Sequence, residues 1–382
     1  MWPKTDQHLK GIGERLRLAR EGVGLSTRAV ASLLSQRGVR ASHVSIGNYE
    51  RGLATVPDEI LECLATVYKR PIEWLRGAGL VLQGVRYRAL KSVSSHDKAR
   101  FTHEAQVWLE MYLHLESLLG QPLVPRQPRF RIGHTVSGEE LAQRIRRRYK
   151  FGIYPVPSTI RLLEDFGVHT IQVATSIRID AFAARFDHSR VVVLNSLLPP
   201  DRMRLTALHE LGHHLYEDFL TGVPLTGDDI EKRAFEFGSH LLMPESELGE
   251  AFRIKSMVRL VEYKERYGIS LAAMVYRARK SGLLSQRLYQ RLWQEFAKHG
   301  FRRAEPGLVP PDRPLRMESL IESAVAKDKT TYADLASHFG TDAEAVKNRV
   351  VSAMGGSTGA SNSTITPGIL NFQAYKQNIG LD

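Results

Sequence analysis

The segment His209-Glu210-Leu211-Gly212-His213 lies inside a run with strong helical character, from Asp201 to Leu220. Residues four apart share a helix face, so both imidazoles can reach one metal while Glu210 stands beside them. Two histidines and a glutamate on a buried face are costly unless a metal satisfies them. The pentapeptide therefore demands a helix with a second element opposite it that completes a ligand set. The chain has 382 residues and one cysteine, Cys63, which excludes a disulfide framework and a multi-cysteine zinc ribbon. Cys63 sits among apolar helix residues and reads as a packed core thiol. Any metal must use histidine and carboxylate.

This pattern supplies a definite chemistry. Zinc lowers the pKa of its water towards about 7, and a neighbouring carboxylate takes the proton as the oxygen attacks a carbonyl carbon. Glu210 is the candidate for that carboxylate, with His209 and His213 as metal ligands. A third protein ligand is offered by Glu231 in IEKRAFEFGSHLLMP, eighteen residues after His213, with Asp228, Asp229 and Glu236 as alternatives. His214 is turned about 100° from His213 and should face elsewhere. Tyr263, Tyr276 and His240 could donate to an oxyanion, but each reads as a packed or surface residue and stays outside the catalytic set.

Apolar periodicity and punctuation predict several domains. The expected divisions are an all-α domain at 1–80, a helical linker at 81–138, an α+β domain at 139–305, a helical C-terminal piece at 306–355 and a flexible tail at 356–382. VHTIQVA, DAFAARF and RVVVLNS are predicted strands of a small sheet, with helices at its side. Asp201 should cap the long helix, and further helices should start near Asp228, Ser256, Ser270 and Ser285. EPGLVPPDRP reads as a proline-rich hinge, and TYADLASHFGTDAEAVKNRVVS as a second unit of helix, glycine turn and helix.

Net charge is +12 and unevenly spread: residues 1–80 carry 12 basic and 8 acidic side chains, residues 81–150 carry 13 and 6, and the rest 28 and 27. Basic excess near the N-terminus suggests a polyanion partner. IGERLRLAREGVGLSTRAVASLL followed by RASHVSIGNYERG has the order of a helix-turn-helix, with Ser26 and Ser42 as caps. Ile46 and Tyr49 should face the core, turning His43, Ser45 and Asn48 towards base edges in the major groove. Arg28, Arg40 and Arg51 are the phosphate candidates.

Two resemblances sharpen these expectations. The first 80 residues resemble the Xre/Cro/phage-repressor family through GERLRLARE, GLS, IGNYERG, LATVY and EWLRG, although Thr27 stands where family members often have Gln. From about Glu139 to Glu305 the chain resembles the ImmA/IrrE family of zinc-dependent endopeptidases, through RVVVLNS, LTALHELGHHL, IEKRAFEFGSHLLMP and YGISLAAMVYRARKSGLLS. The second resemblance implies a zincin-like metallopeptidase domain with Glu231 as third ligand, although Phe235 stands where that family favours Asn. It also implies cytoplasmic proteolysis of a helix-turn-helix repressor.

The expected function is thus a DNA-binding regulatory zinc endopeptidase that cleaves a repressor or antitoxin-like protein. Its rival is a non-proteolytic transcriptional regulator whose peptidase-like domain senses a ligand or binds a partner. The expected cofactor is Zn2+, and the expected partners are double-stranded DNA and the protein substrate, with a homodimer left open. Without an apolar leader or a 20-residue apolar span, no membrane is expected and the location is read as cytoplasmic.

Overall fold

The computed structural model describes residues 4–77, 80, 82–126, 131–187, 189–221, 225–254, 256–301 and 304–353; the expected tail at 356–382 lies outside them. The chain starts with α1 (Lys4–Gly22), α2 (Thr27–Gln36), α3 (His43–Glu50), α4 (Asp58–Tyr68) and α5 (Ile72–Arg76). Ser26 Oγ accepts from Ala29 N at 3.1 Å and Ser42 Oγ from Ser45 N at 3.0 Å, so both predicted caps start their helices. Leu16, Ala19, Val30, Leu34, Ile46, Leu61, Leu64 and Tyr68 share one core, with Cys63 packed against its edge. Gly13 lets α1 pass close to α3, because a Cβ there would lie 2.6 Å from the Tyr49 carbonyl oxygen. Arg20 reinforces it with two hydrogen bonds to the buried Glu50 carboxylate, at 2.6 and 2.9 Å.

Next come β1 (Gln83–Ala89), α6 (Ser95–Leu119), β2 (Ile132–Gly133), α7 (Gly138–Arg148), α8 (Thr159–Asp165), β3 (Val168–Val173), β4 (Ile179–Phe186) and β5 (Ser189–Asn195). They are followed by α9 (Pro200–Phe219), β6 (Leu220–Thr221), α10 (Gly227–Leu242), α11 (Glu245–Arg253), α12 (Met257–Tyr267), α13 (Leu271–Lys280) and α14 (Gln286–Lys298). The last three are α15 (Arg316–Ala326), α16 (Tyr332–Phe339) and α17 (Ala343–Ala353). The protein is therefore helical at its N-terminal end, α+β in the middle and helical again beyond. No helix among the described residues is long and apolar enough to cross a membrane.

Three predicted strands form, while β1 in the same sheet and the short parallel pair β2 and β6 were not expected. The sheet has the order β1-β4-β5-β3, with β3 parallel to β5 and the other pairs antiparallel. β1 lies in the span expected to be a helical linker, and it pairs along β4 from Gln83 opposite Arg185 to Ala89 opposite Ile179. Asp201 does not cap α9: Pro199 holds that position, and Asp201 pairs with Lys264 at 2.7 Å.

Two compact units divide the described residues, one from Met1–Val124, Gly167–Leu197 and Arg313–Ala360, the other from Pro125–Phe166 and Leu198–Asp312. The chain passes between them after Val124, Phe166, Leu197 and Asp312. In the first unit α6 lies on the sheet, with Phe101, Trp108, Met111, Tyr112 and Leu115 against Ile171, Phe182 and Val193. The C-terminal helices are no separate piece. Met317, Leu320 and Ile321 of α15, Phe339 of α16 and Val346 of α17 complete that same core. α1 and α5 are fastened to α6 through Glu110, which accepts from Trp74 Nε1 at 2.8 Å and pairs with Arg15 at 3.4 Å. Beside it Arg70 contacts His103 Nε2 at 2.6 Å and donates to the carbonyls of Phe339 and Gly340. Burial, with the Arg70 charge adding to it, lowers the His103 pKa to about 3.

The second unit contains α7 to α14 apart from the three strands. Its proline-rich end is pinned and not a loose hinge. Glu305 accepts from Lys264 at 2.9 Å and from Leu271 N at 2.7 Å, while Asp312 accepts from Ser158 Oγ at 2.7 Å and pairs with Arg204 at 3.1 Å.

Candidate functional site

α9 carries His209, Glu210 and His213 on a stretch buried from Met203 to Tyr216. Gly212 lets α10 come close: a Cβ there would lie 3.0 Å from Ala234 Cα and 3.1 Å from the Phe237 ring. Gly238 repeats the device from the other side, its Cβ direction meeting His209 N at 3.2 Å. With the helix axes drawn together, Glu231 at the start of α10 reaches the histidines. Its Oε2 is 3.2 Å from His209 Nε2 and its Oε1 is 3.1 Å from His213 Nε2. The two Nε2 atoms are 3.1 Å apart.

These three residues form the one group of three or more potential metal-ligating side chains found among the described residues. Ligands at zinc–donor distances of ~2.0–2.1 Å in a tetrahedron are separated by about 3.3 Å. The observed separations of 3.1–3.2 Å fit that edge. Two imidazole nitrogens and a carboxylate also suit zinc by ligand type. The cluster is closed on the α9 side and open on the α10 side, since the His209 and His213 side chains are 5% and 4% exposed and that of Glu231 is 61%. Glu210, 5% exposed, is buried beside them on the same helix.

The alternatives for a third ligand stand elsewhere: the Asp229 carboxylate accepts from the Thr226 hydroxyl at 2.8 Å, and neither Asp228 nor Glu236 joins the cluster. His214 is turned away, as its spacing requires, with Nδ1 3.0 Å from Asp218. His240 accepts from Arg277 at 3.3 Å, and burial followed by that guanidinium lowers its pKa to about 4. The Tyr263 hydroxyl accepts from Arg259 at 3.4 Å, and Tyr276 meets Phe235 edge-on at 5.4 Å.

Sequence reading missed the groups that hold α10 in place. Arg277 of α13 is buried and donates to the carbonyls of Ser239 and Met243, at 2.8 and 2.6 Å, and to Glu245 at 2.7 Å. Arg146 of α7 donates to the Leu241 carbonyl. Both guanidiniums thus sit at the C-terminal end of α10, where unpaired carbonyls concentrate negative charge. The sequence signal for Arg277 was an arginine within an apolar helical run, and Arg146 was masked by the neighbouring Arg144, Arg147 and Arg148.

Residues 163–279 match the family model of peptidase M78, described as the IrrE N-terminal-like domain. That segment contains His209, Glu210, His213 and Glu231, so the cluster lies in a region similar to a metallopeptidase. No curated protein shows significant similarity to the chain.

The residues expected to meet DNA lie on or near α2 and α3. Arg28, Arg40, His43 and Arg51 are exposed, and Ile46 is buried, while Tyr49 is half-buried against the same core. Ser45 and Asn48 are half-buried. Ser45 does not present a disengaged hydroxyl, because its Oγ is 2.9 Å from Ser42 Oγ at the cap. Asn48 Oδ1 accepts from Arg51 Nη2 at 2.6 Å.

Proposed function

We propose that the protein is a DNA-binding regulatory zinc endopeptidase that hydrolyses a peptide bond in a repressor or antitoxin-like protein and so controls transcription. The observation that carries the enzymatic part is the convergence of His209, His213 and Glu231 within 4.8 Å of one another beside Glu210, inside a peptidase-family segment. His209, His213 and Glu231 would hold the ion. Zinc held there supplies a Lewis acid that acidifies water and polarises the scissile carbonyl. Glu210 accepts the proton of the attacking water and passes it to the leaving amine. The buried α9 wall keeps bulk water from one side, and the exposed Glu231 side admits the polypeptide. Helices α2 and α3, with Arg28, Arg40 and Arg51 around them, support the DNA-binding part, which would bring the enzyme to a protein bound at the same locus.

The test is incubation of the purified full-length protein with cytoplasmic helix-turn-helix repressors, with and without chelator. Cleavage that chelator abolishes and zinc restores is the expected result. A zinc-loaded protein that binds such partners and cuts none of them would instead support the non-proteolytic regulator.

A further inference from the structure

Two features of α3 have no explanation among the described residues. Gly47 stands mid-helix, where glycine is less stable than alanine, yet a Cβ built at Gly47 meets none of the described residues within 4 Å. Packing does not require the small residue. Val44, one turn earlier, is a β-branched apolar side chain left 56% exposed. At 100° per residue, Val44, Gly47, Asn48 and Arg51 form one stripe, on the side away from the buried Ile46 and Glu50.

Resting on the DNA-binding reading above, we infer that this stripe is the base-reading surface, with Val44 against a thymine 5-methyl group and Gly47 letting the helix approach the floor of the major groove. The thymine methyl is the one apolar group that base edges display there, and small aliphatic side chains read it. A missing Cβ one turn further on removes the bulk that would hold the helix away from the bases. Flanking charge favours this occupant over an apolar protein surface, since Arg28, Arg40 and Arg51 are all exposed around the two capped helices. Arg51 donates to Asn48 Oδ1 at 2.6 Å, which orients that amide along the stripe. Ser45, tied to Ser42 at 2.9 Å, acts in the cap and not in base readout.

The experiment uses the full-length protein. A duplex pool is selected for binding, and each thymine of the enriched site is then replaced in turn by deoxyuridine, which lacks only the methyl group. At least one thymine of the enriched site should show a loss of about threefold to fivefold, the size expected for one methyl contact. Val44→Ala should reduce that penalty to less than about twofold. Gly47→Ala should leave the melting temperature equal or higher while weakening the selected duplex by more than about tenfold. Opposite signs for stability and binding are not expected of a position with a purely structural role. Specific binding that is indifferent to every uridine replacement, or undiminished in Gly47→Ala, overturns the assignment and leaves DNA binding intact. A pool in which no sequence enriches overturns both.

Discussion

At Gly212 the spacing of the candidate metal ligands is set by the absence of one methyl group. The Ala234 backbone lies 3.0 Å from where a Cβ would be, so Gly212→Val has to push α10 outward and carry Glu231 with it. We expect a loss of about 2 kcal/mol in stability from overpacking, with weaker zinc retention although every ligand remains. Metal content after dialysis and a thermal melt measure the two effects. Glu231→Ala and His213→Ala should lose zinc outright, and full retention in both would remove them as ligands. Glu210→Gln should keep the metal, measured by elemental analysis, and abolish hydrolysis, because an amide cannot take the proton. His209, His213 and Glu231 were legible in the sequence because helical spacing and a conveniently placed carboxylate are local facts. Gly212 was not, since it fills an unspecified position of the motif and its role depends on a helix that arrives later in the chain.

Among the elements, α10 depends on a side chain from α13. Arg277 is 3% exposed and satisfies the Ser239 and Met243 carbonyls at 2.8 and 2.6 Å. Replacing it with Met leaves those acceptors dry, for a cost of about 3 kcal/mol. Arg277→Met should therefore lower the melting temperature and weaken zinc binding together, and an unchanged zinc affinity would show that the start of α10 is held by other contacts. Where α1 docks on α6, pH is the lever. His103 has its pKa lowered from 6.5 to about 3. Between those values the unfolded chain binds the extra proton, so this contribution to stability is complete above pH 6.5 and is lost as pH falls towards 3. Urea midpoints should drop more steeply over that range in the wild type than in His103→Gln. Parallel slopes would exclude the histidine as the cause. Five helices were legible from their caps, at Ser26, Ser42, Ser256, Ser270 and Ser285. Strand β1 does carry an alternation, Val85-Arg86-Tyr87-Arg88, but it is short and stands alone before a long helix, and its register is set by β4, almost a hundred residues away.

For the whole molecule, the sequence suggested modules in succession, and the structure instead builds one sheet core from three distant stretches. A 139–305 fragment would keep β3, β4 and β5 but lose β1 from the sheet edge and α6, α15, α16 and α17 from the core that covers it. Phe182, Ile171 and Val193, all buried at 1% exposure or less in the intact chain, would then lose those neighbours. Such a fragment should associate through its uncovered sheet and lose the part of the thermal transition that belongs to the sheet core, whereas the full chain should remain monomeric and show it. A sharp melt of the monomeric fragment would refute that dependence. Long-range assembly of this kind leaves no local trace, because each strand and helix has an ordinary pattern and only their pairing is unusual.

The four passages between the units among the described residues also impose a sequence of events during synthesis. Everything the His209, His213 and Glu231 cluster takes from the described part of its own unit has been synthesised once Asp312 is translated. At that moment the sheet core still lacks Met317, Ile321, Phe339 and Val346, so its apolar face waits uncovered for the last helices. Contacts between α6 and α15 close a loop of about two hundred residues, and pairings this distant form slowly. On the zinc reading proposed above, a nascent chain would acquire the ion while the other unit is still open, which makes zinc supply an early step and release of the C-terminal helices the late one.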